Sequence, residues 1–376
     1  MGHKRLFVLL AVLLILAGDV AWQKTTGSSA IFEAQSAAAK KARVVKKKVV
    51  KAKSKKGAVP TAQKASGTVL THFGAVIRPF ALDKAYAPYN KANLLAQLDL
   101  LKDLGATDVI ANIEDNTSVN DDFVNLSLER NLQPILIIEK TLPDFFRDAS
   151  YDQAYWLGRT IAERYKGKVH TYQLANEASG MVIKPTFPGN NRSDYDDAEY
   201  AVLKEWLAGL SNGIYDGDKT AQRMLTANWL GTGIVDRLVS DGLSFERAGW
   251  HWYSDMGTSM IKQIGRAKFL NVPGYITTKY KKDFWVTEAN RREGDTDGDG
   301  AAQAEYINAL LTNIAQARNV SGFFVFTLTD LCAKLDVEEG HMGLVKLNKN
   351  ADGSCSLGDK KPAYQAYKDA IAHYRQ

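Results

Sequence analysis

From Thr68 onward, short runs of β-branched and aromatic residues alternate with segments whose apolar positions recur every three or four residues. That is the pattern of βα units around a parallel sheet. It predicts eight strands, at Thr68–Phe73, Asp108–Ile113, Pro134–Ile138, His170–Ala175, Met224–Trp229, Ala248–Tyr253, Phe284–Thr287 and Gly322–Leu328. The helices that follow them are expected at Asn90–Leu104, Phe123–Arg130, Asp152–Tyr165, Glu199–Leu210, Ile234–Val239, Ser259–Phe269, Ala301–Ala317 and Pro362–Tyr374. In the first helix, Leu94, Leu95, Leu98, Leu101 and Leu104 form one stripe and Gly105 stops it. Eight such units over about 300 residues predict an α/β fold, the (β/α)8 TIM barrel. An open doubly wound sheet is the alternative arrangement, but no glycine-rich phosphate loop follows the first strand.

Ahead of Gly67 the pattern stops. Lys4 and Arg5 precede an apolar run from Leu6 to Ala17, which reads as a secretory signal over residues 1–30, with an uncleaved membrane anchor as the second reading. Residues 31–66 follow as a Lys/Ala-rich linker that cannot form a core, with eleven basic residues and no acid between Lys40 and Lys64. It reads as a solvated tether, or as a contact for polyanions. The barrel is assigned to 67–376. The chain is thus expected to be exported, secreted or periplasmic, with the anchor reading tethering it to a membrane.

The net charge of +6 separates along the same line: residues 1–66 carry +12 and the remainder −6. The basicity belongs to the tail, so no specific nucleic-acid partner is expected of the fold, which is read as a monomer. Two cysteines, Cys332 and Cys355, exclude a cysteine-based zinc cluster or a disulfide-dense scaffold. Whether they pair or stand as separate thiols is open, because spacing does not fix Cβ geometry.

In a (β/α)8 barrel the reacting groups stand at the C-terminal ends of the strands. Those ends offer His72, Glu114 and Asp115, Glu139 and Lys140, Asn176 and Glu177, Asn228 and Trp229, His251 and Tyr253, Glu288 and Asn290, and Thr329 and Asp330. An Asn176-Glu177 pair closing the fourth strand and a lone Glu288 closing the seventh resemble clan A of the glycoside hydrolases, retaining enzymes on this fold. The resemblance implies that Glu177 is the acid/base, Glu288 the nucleophile and Asn176 a ligand of the sugar 2-hydroxyl. Retaining hydrolysis needs two carboxyls about 5 to 5.5 Å apart, one to protonate the leaving oxygen and one to attack the anomeric carbon. The His251-Trp252-Tyr253 run resembles the His-x-Tyr of several clan A families, giving Tyr253 a role in orienting Glu288 and His251 a place in the sugar shell.

Sugar rings stack their C–H faces on aromatics. Trp229 is the expected platform, whereas Trp252 and Trp285, out of phase with His251 and Glu288, are expected against the helices. His72, Glu114 and Asn228 complete the expected substrate shell. Two departures from the clan stand out: no Arg closes the second strand, which ends Ala111-Asn112-Ile113-Glu114, and no Trp closes the eighth, which ends Phe326-Thr327-Leu328-Thr329. The stretch Asp295–Gly300 opens like an EF-hand loop, but Tyr306 occupies its twelfth position, where a Glu is required, so it reads as a turn. No cofactor and no metal are expected. The expected activity is retaining hydrolysis of a β-linked poly- or oligosaccharide, endo-acting. A transglycosylase on the same site and an inactive glycan-binding barrel are the alternatives.

Overall fold

The structure is a computed structural model that describes residues 69–78, 90–115, 117–139, 145–296, 298, 300–317 and 319–375. The expected leader (1–30) and linker (31–66) lie outside the described residues, as do Lys140, Asp297 and Asp299.

Twelve strands occur among the described residues: β1 (His72–Val76), β2 (Asp108–Asn112), β3 (Gln133–Ile137), β4 (Thr171–Gln173), β5 (Gln222–Asn228), β6 (Arg247–Tyr253), β7 (Ile261–Gly265), β8 (Lys268–Asn271), β9 (Asp283–Asn290), β10 (Gly322–Val325), β11 (Val345–Lys349) and β12 (Cys355–Lys360). Eight of them close a parallel barrel in the order β1-β10-β9-β6-β5-β4-β3-β2, which leaves no free sheet edge. The helices are α1 (Lys91–Leu104), α2 (Thr117–Glu129), α3 (Phe145–Asp148), α4 (Tyr151–Arg164), α5 (Ala178–Val182), α6 (Asp197–Gly217), α7 (Thr232–Ser240), α8 (Val272–Lys279), α9 (Ala301–Ala317) and α10 (Pro362–Tyr374).

Local chemistry explains the ends that were legible. The Asn90 side chain accepts the Ala92 N–H at the start of α1, and Gly105, in the left-handed region at φ 78°, closes it. Pro362 opens α10, where its missing N–H costs nothing. Helix α6 runs on to Gly217, past the expected end at Leu210. Its Gly209, Gly213 and Gly217 face the backbone of α4, where a Cβ on Gly217 would stand 2.7 Å from the Arg159 carbonyl. The glycines are there because two helix backbones nearly touch.

Three expectations are corrected. The helix expected at Ser259–Phe269 is the β7–β8 hairpin, paired antiparallel from Ile261↔Asn271 to Gly265↔Lys268. The apolar spacing of Ile261, Ile264, Phe269 and Leu270 fits either structure. The start signal that decides lies later, where the Asn271 side chain accepts the Gly274 N–H and Pro273 sits in the first turn of α8. The first strand, expected at Thr68–Phe73, runs instead from His72 to Val76, since its apolar run continues through Ile77. Finally, Thr287 is an extra residue in β9: Val286 pairs with Trp250 and Glu288 with His251, so a β-bulge resets the in–out phase between Trp285 and Glu288.

Because of that bulge Trp285 lies inside the barrel at its N-terminal end, not against the helices. There it stacks with His72 (centroids 4.3 Å apart) and Phe324 (5.4 Å), and the Arg247 guanidinium lies 3.7 Å from its ring centre. These groups border a cavity of about 350 Å³ together with Asp108, Thr171 and Gln222. Trp252, as expected, is fully buried outside the wall, its Nε1 donating to the Gly257 carbonyl. Cys332 and Cys355 form a disulfide that ties β12 to the loop after β10.

Candidate active site

The chain leaves β4 at Gln173 and reaches Glu177 four residues later in a left-handed conformation (φ 51°), as does Trp229 at the end of β5 (φ 49°). A non-glycine residue in that region costs on the order of 1 kcal/mol or more, and persists where surrounding contacts enforce it. For Glu177 the enforcers are visible. Its N–H donates to Thr226 Oγ1 at 3.2 Å, and Asn228 Nδ2 donates to its Oε2 at 2.8 Å. Asn228 is held in turn by the Ser179 hydroxyl, 2.8 Å from Oδ1.

The second carboxylate arrives from β9. Tyr253 donates its hydroxyl to Glu288 Oε2 at 2.7 Å, the orienting contact that the His-x-Tyr run suggested. His251 stands between the pair, fully buried, with Nδ1 2.9 Å from Glu177 Oε1 and 3.2 Å from Glu288 Oε2. The facing atoms of the three residues lie within 4.8 Å of one another. Two carboxyls that close can attack and protonate one glycosidic bond.

Electrostatics sets Glu288 apart from surface carboxylates. Burial pushes Glu288 above the ordinary range; the His251 ring opposes this, Glu177 adds to it, and the Tyr253 hydroxyl and Arg78 pull it back. For His251 burial acts downward, but the Glu288 and Glu177 carboxylates outweigh it and hold the ring above its usual value. Burial also drives Tyr253 well up, so it remains a donor.

The remaining expected residues divide. Asn176 is half-buried beside Glu177, its Oδ1 accepting from Gln173 Nε2 at 3.3 Å. Trp229 is half-buried, its ring 5.9 Å from that of Trp252. Glu114 stands at the rim, its backbone clamped by both polar atoms of Asn120, and among the described residues no hydrogen bond joins its carboxylate to the pair. His72 is misplaced: it lies at the opposite end of the barrel, its Nδ1 3.0 Å from Asp108 Oδ2, and it takes no part in this site. The cause is the misread end of the first strand. With β1 set at His72–Val76, the residue that closes it over the mouth is Arg78, whose charge pulls down Glu288, Glu139 and Glu114 alike. Arg78 was missed, though the apolar run Phe73–Ile77 ended by Arg78-Pro79 is the signal that finds it. Its guanidinium lies 5.6 Å from the ring centre of Phe326, the residue just beyond β10.

Among the described residues, two groups place three ligand-type side chains close enough to surround a cation. In Asp295, Asp330 and His341 the centre belongs to the fully buried Lys361 ammonium, 2.7 Å from both aspartates. The EF-hand-like opening therefore supplies a lysine partner. Around Glu177, His251 and Glu288 the short contacts already run between the imidazole and the two carboxylates.

No family model and no curated protein matches this sequence. Solved structures do match in shape. A family 1 β-glucosidase from Thermotoga maritima superposes with a TM-score of 0.56 at 13% identity, covering 83% of this chain and 98% of that one. A GH5_18 structure from Streptomyces cattleya in complex with GlcNAc gives a TM-score of 0.60 at 14% identity, over 83% and 82%. The closed eight-stranded parallel barrel expected from the sequence is the fold that this chain shares with these glycosidases.

Proposed function

We propose that the protein is a retaining glycoside hydrolase of β-linked poly- or oligosaccharides. The observation that carries this reading is the facing of Glu177 and Glu288 around His251, with Tyr253 hydrogen-bonded to one carboxylate and Asn228 to the other.

Glu288 attacks the anomeric carbon as a carboxylate while Glu177 delivers its proton to the departing oxygen. Water, activated by Glu177, then opens the glycosyl ester from the face that the leaving group vacated, opposite Glu288, so configuration is kept through two inversions. Tyr253 fixes the Glu288 oxygen that does not attack, and Arg78 favours the ionised form that burial opposes. Asn228 and His251 aim Glu177. The neighbouring glycosidases lend the fold, and the Asn176-Glu177 and Glu288 motifs lend the chemistry. Export, with the basic segment 31–66 tethering a catalytic domain at 67–376, belongs to the same proposal. So do endo action and Trp229 as the sugar platform.

Mass spectrometry after treatment with 2-fluoro glycosides, combined with proton NMR of the first product, tests the reading. The expected result is one label, on Glu288, and a β-anomer. Label on another residue, or an α-anomer from a β-linked substrate, overturns it. A longer sugar formed in excess of water product would assign the transglycosylase instead.

A further inference from the structure

The site holds a third inward-facing carboxyl. Gln133, Pro134 and Ile135 of β3 border the cavity inside the barrel, and Ile137 pairs with Asn112 of β2, so the period of two turns Glu139, two residues on, to the same side as Asn112. On the adjacent β2, Asp108 lines the same interior, which turns Asn112 inward. The two strand ends meet accordingly: Asn112 Nδ2 lies 3.5 Å from Glu139 Oε2. Glu139 thus stands in the mouth beside β4, the strand that delivers Glu177.

Its environment is poor in donors. Among the described residues that single long contact is the only hydrogen bond its carboxylate receives, against roughly four acceptor positions on two oxygens. Its side chain is exposed at the mouth. Burial pushes it up to about 6, with Glu288 and Glu177 adding to this and Arg78 and Asn112 opposing it. Its oxygens are open to solvent and hold acceptor positions that a ligand can occupy in place of water. Sugar hydroxyls are donors of the right number and reach.

Resting on the glycosidase reading of the site, we propose that Glu139 is a specificity-determining residue, accepting hydrogen bonds from hydroxyls of the sugar bound across Glu177 and Glu288. The substrate class is then a sugar with free hydroxyls toward β3 and no carboxylate there, because a uronic acid would bring a second negative charge to Glu139. A pocket built to hydrogen-bond a hydroxyl discriminates steeply against the analogue that lacks it.

The test is a mutant-by-ligand cycle read by calorimetry in full-length protein carrying Glu288→Gln, so that ligands bind without turnover. The probes are β-linked gluco-, manno- and galacto-trisaccharides and monodeoxy analogues of whichever binds. With Glu139 present, one deoxy position should weaken binding at least 30-fold; with Glu139→Ala added, the same position should cost less than 3-fold. The trisaccharide ending in a uronic acid should bind at least 10-fold more weakly than its neutral counterpart, and Glu139→Ala should narrow that gap. Deoxy penalties that survive Glu139→Ala unchanged overturn the proposal, as does failure of all three trisaccharides to bind. Thermal melts of each variant, and Glu139→Gln alongside Glu139→Ala, separate contact loss from misfolding. Hydrolysis by the unsubstituted protein is scored separately: absent turnover with an intact cycle removes the glycosidase reading and leaves Glu139 as a sugar ligand, while turnover with a flat cycle removes only Glu139.

Discussion

The two ends of the barrel are built from the same alternation of inward-facing residues, yet they treat charge in opposite ways. At the N-terminal end every charged group named here has an internal partner. Arg247 donates to Asp283 at 3.0 Å and to Thr171 at 2.7 Å, Trp285 Nε1 donates to the same Asp283 at 2.9 Å, and His72 contacts Asp108. At the C-terminal end Glu288, Glu139 and Glu114 are all pushed up by burial. One end has its charges matched within the fold; the other gathers several carboxyls that share few donors, chiefly Tyr253, His251 and Asn112. Polarity inside a barrel is therefore a poor guide to function unless partners are counted.

The comparison can be broken most forcefully at Glu288. Replacing it by Gln should lower kcat on any β-glycoside substrate at least 10⁴-fold, a loss of about 5.5 kcal/mol of transition-state stabilisation, with circular dichroism unchanged. Retained activity would mean the mouth is not where chemistry happens. At the other end Arg247→Ala should do the reverse. It leaves Asp283 without its main partner and opens space beside Trp285, so unfolding by urea should show a loss of about 3 kcal/mol while kcat/KM per folded molecule stays within 2-fold.

A smaller effect separates the two ends by pH. A carboxyl raised in the folded state contributes stability that is full below its unfolded value and lost as pH rises through its folded one. For Glu139 that window runs from the ordinary carboxylate range to about 6. Glu139→Gln should therefore stabilise the protein at pH 7.5 relative to pH 4.5, by at most about 1 kcal/mol once screening at the open mouth is allowed for. Equal effects at both pH values would show that the carboxyl is not raised. The smallest expectation concerns His72→Gln: no more than a 2-fold change in kcat/KM, because His72 and the mouth lie at opposite ends.

The fold was legible because each barrel strand carries a short apolar run and most helices carry a cap or stop. Helices α9 and α10 were read with the bounds they have. The facing of Glu177 and Glu288 was legible because position at a strand end, added to the Asn-Glu motif, is a statement about place. What escaped depended on contacts between distant segments. The end of β1 was read a few residues early, and that one slip both admitted His72 and hid Arg78. The Thr287 bulge broke the parity that had turned Trp285 outward. The role of Glu139 needs Asn112 beside it, and the Cys332–Cys355 bond needs β12 brought to the loop after β10; neither follows from spacing.

The glycine stripe of α6 has a consequence for how this protein can change. Helices α4 and α6 follow β3 and β4, the strands that present Glu139 and Glu177. Where Gly209, Gly213 and Gly217 meet α4, and where Gly158 meets the Leu210 carbonyl, there is no layer of side chains between them. Elsewhere around the barrel a lineage or a mutant library can enlarge one residue and trim its neighbour. Here the only available substitutions are enlargements into solid backbone, so this sector behaves as an incompressible hub. New substrate preferences should arise by drift on the far side of the mouth, around the β7–β8 hairpin, while the α4–α6 sector passes unaltered from ancestor to descendant.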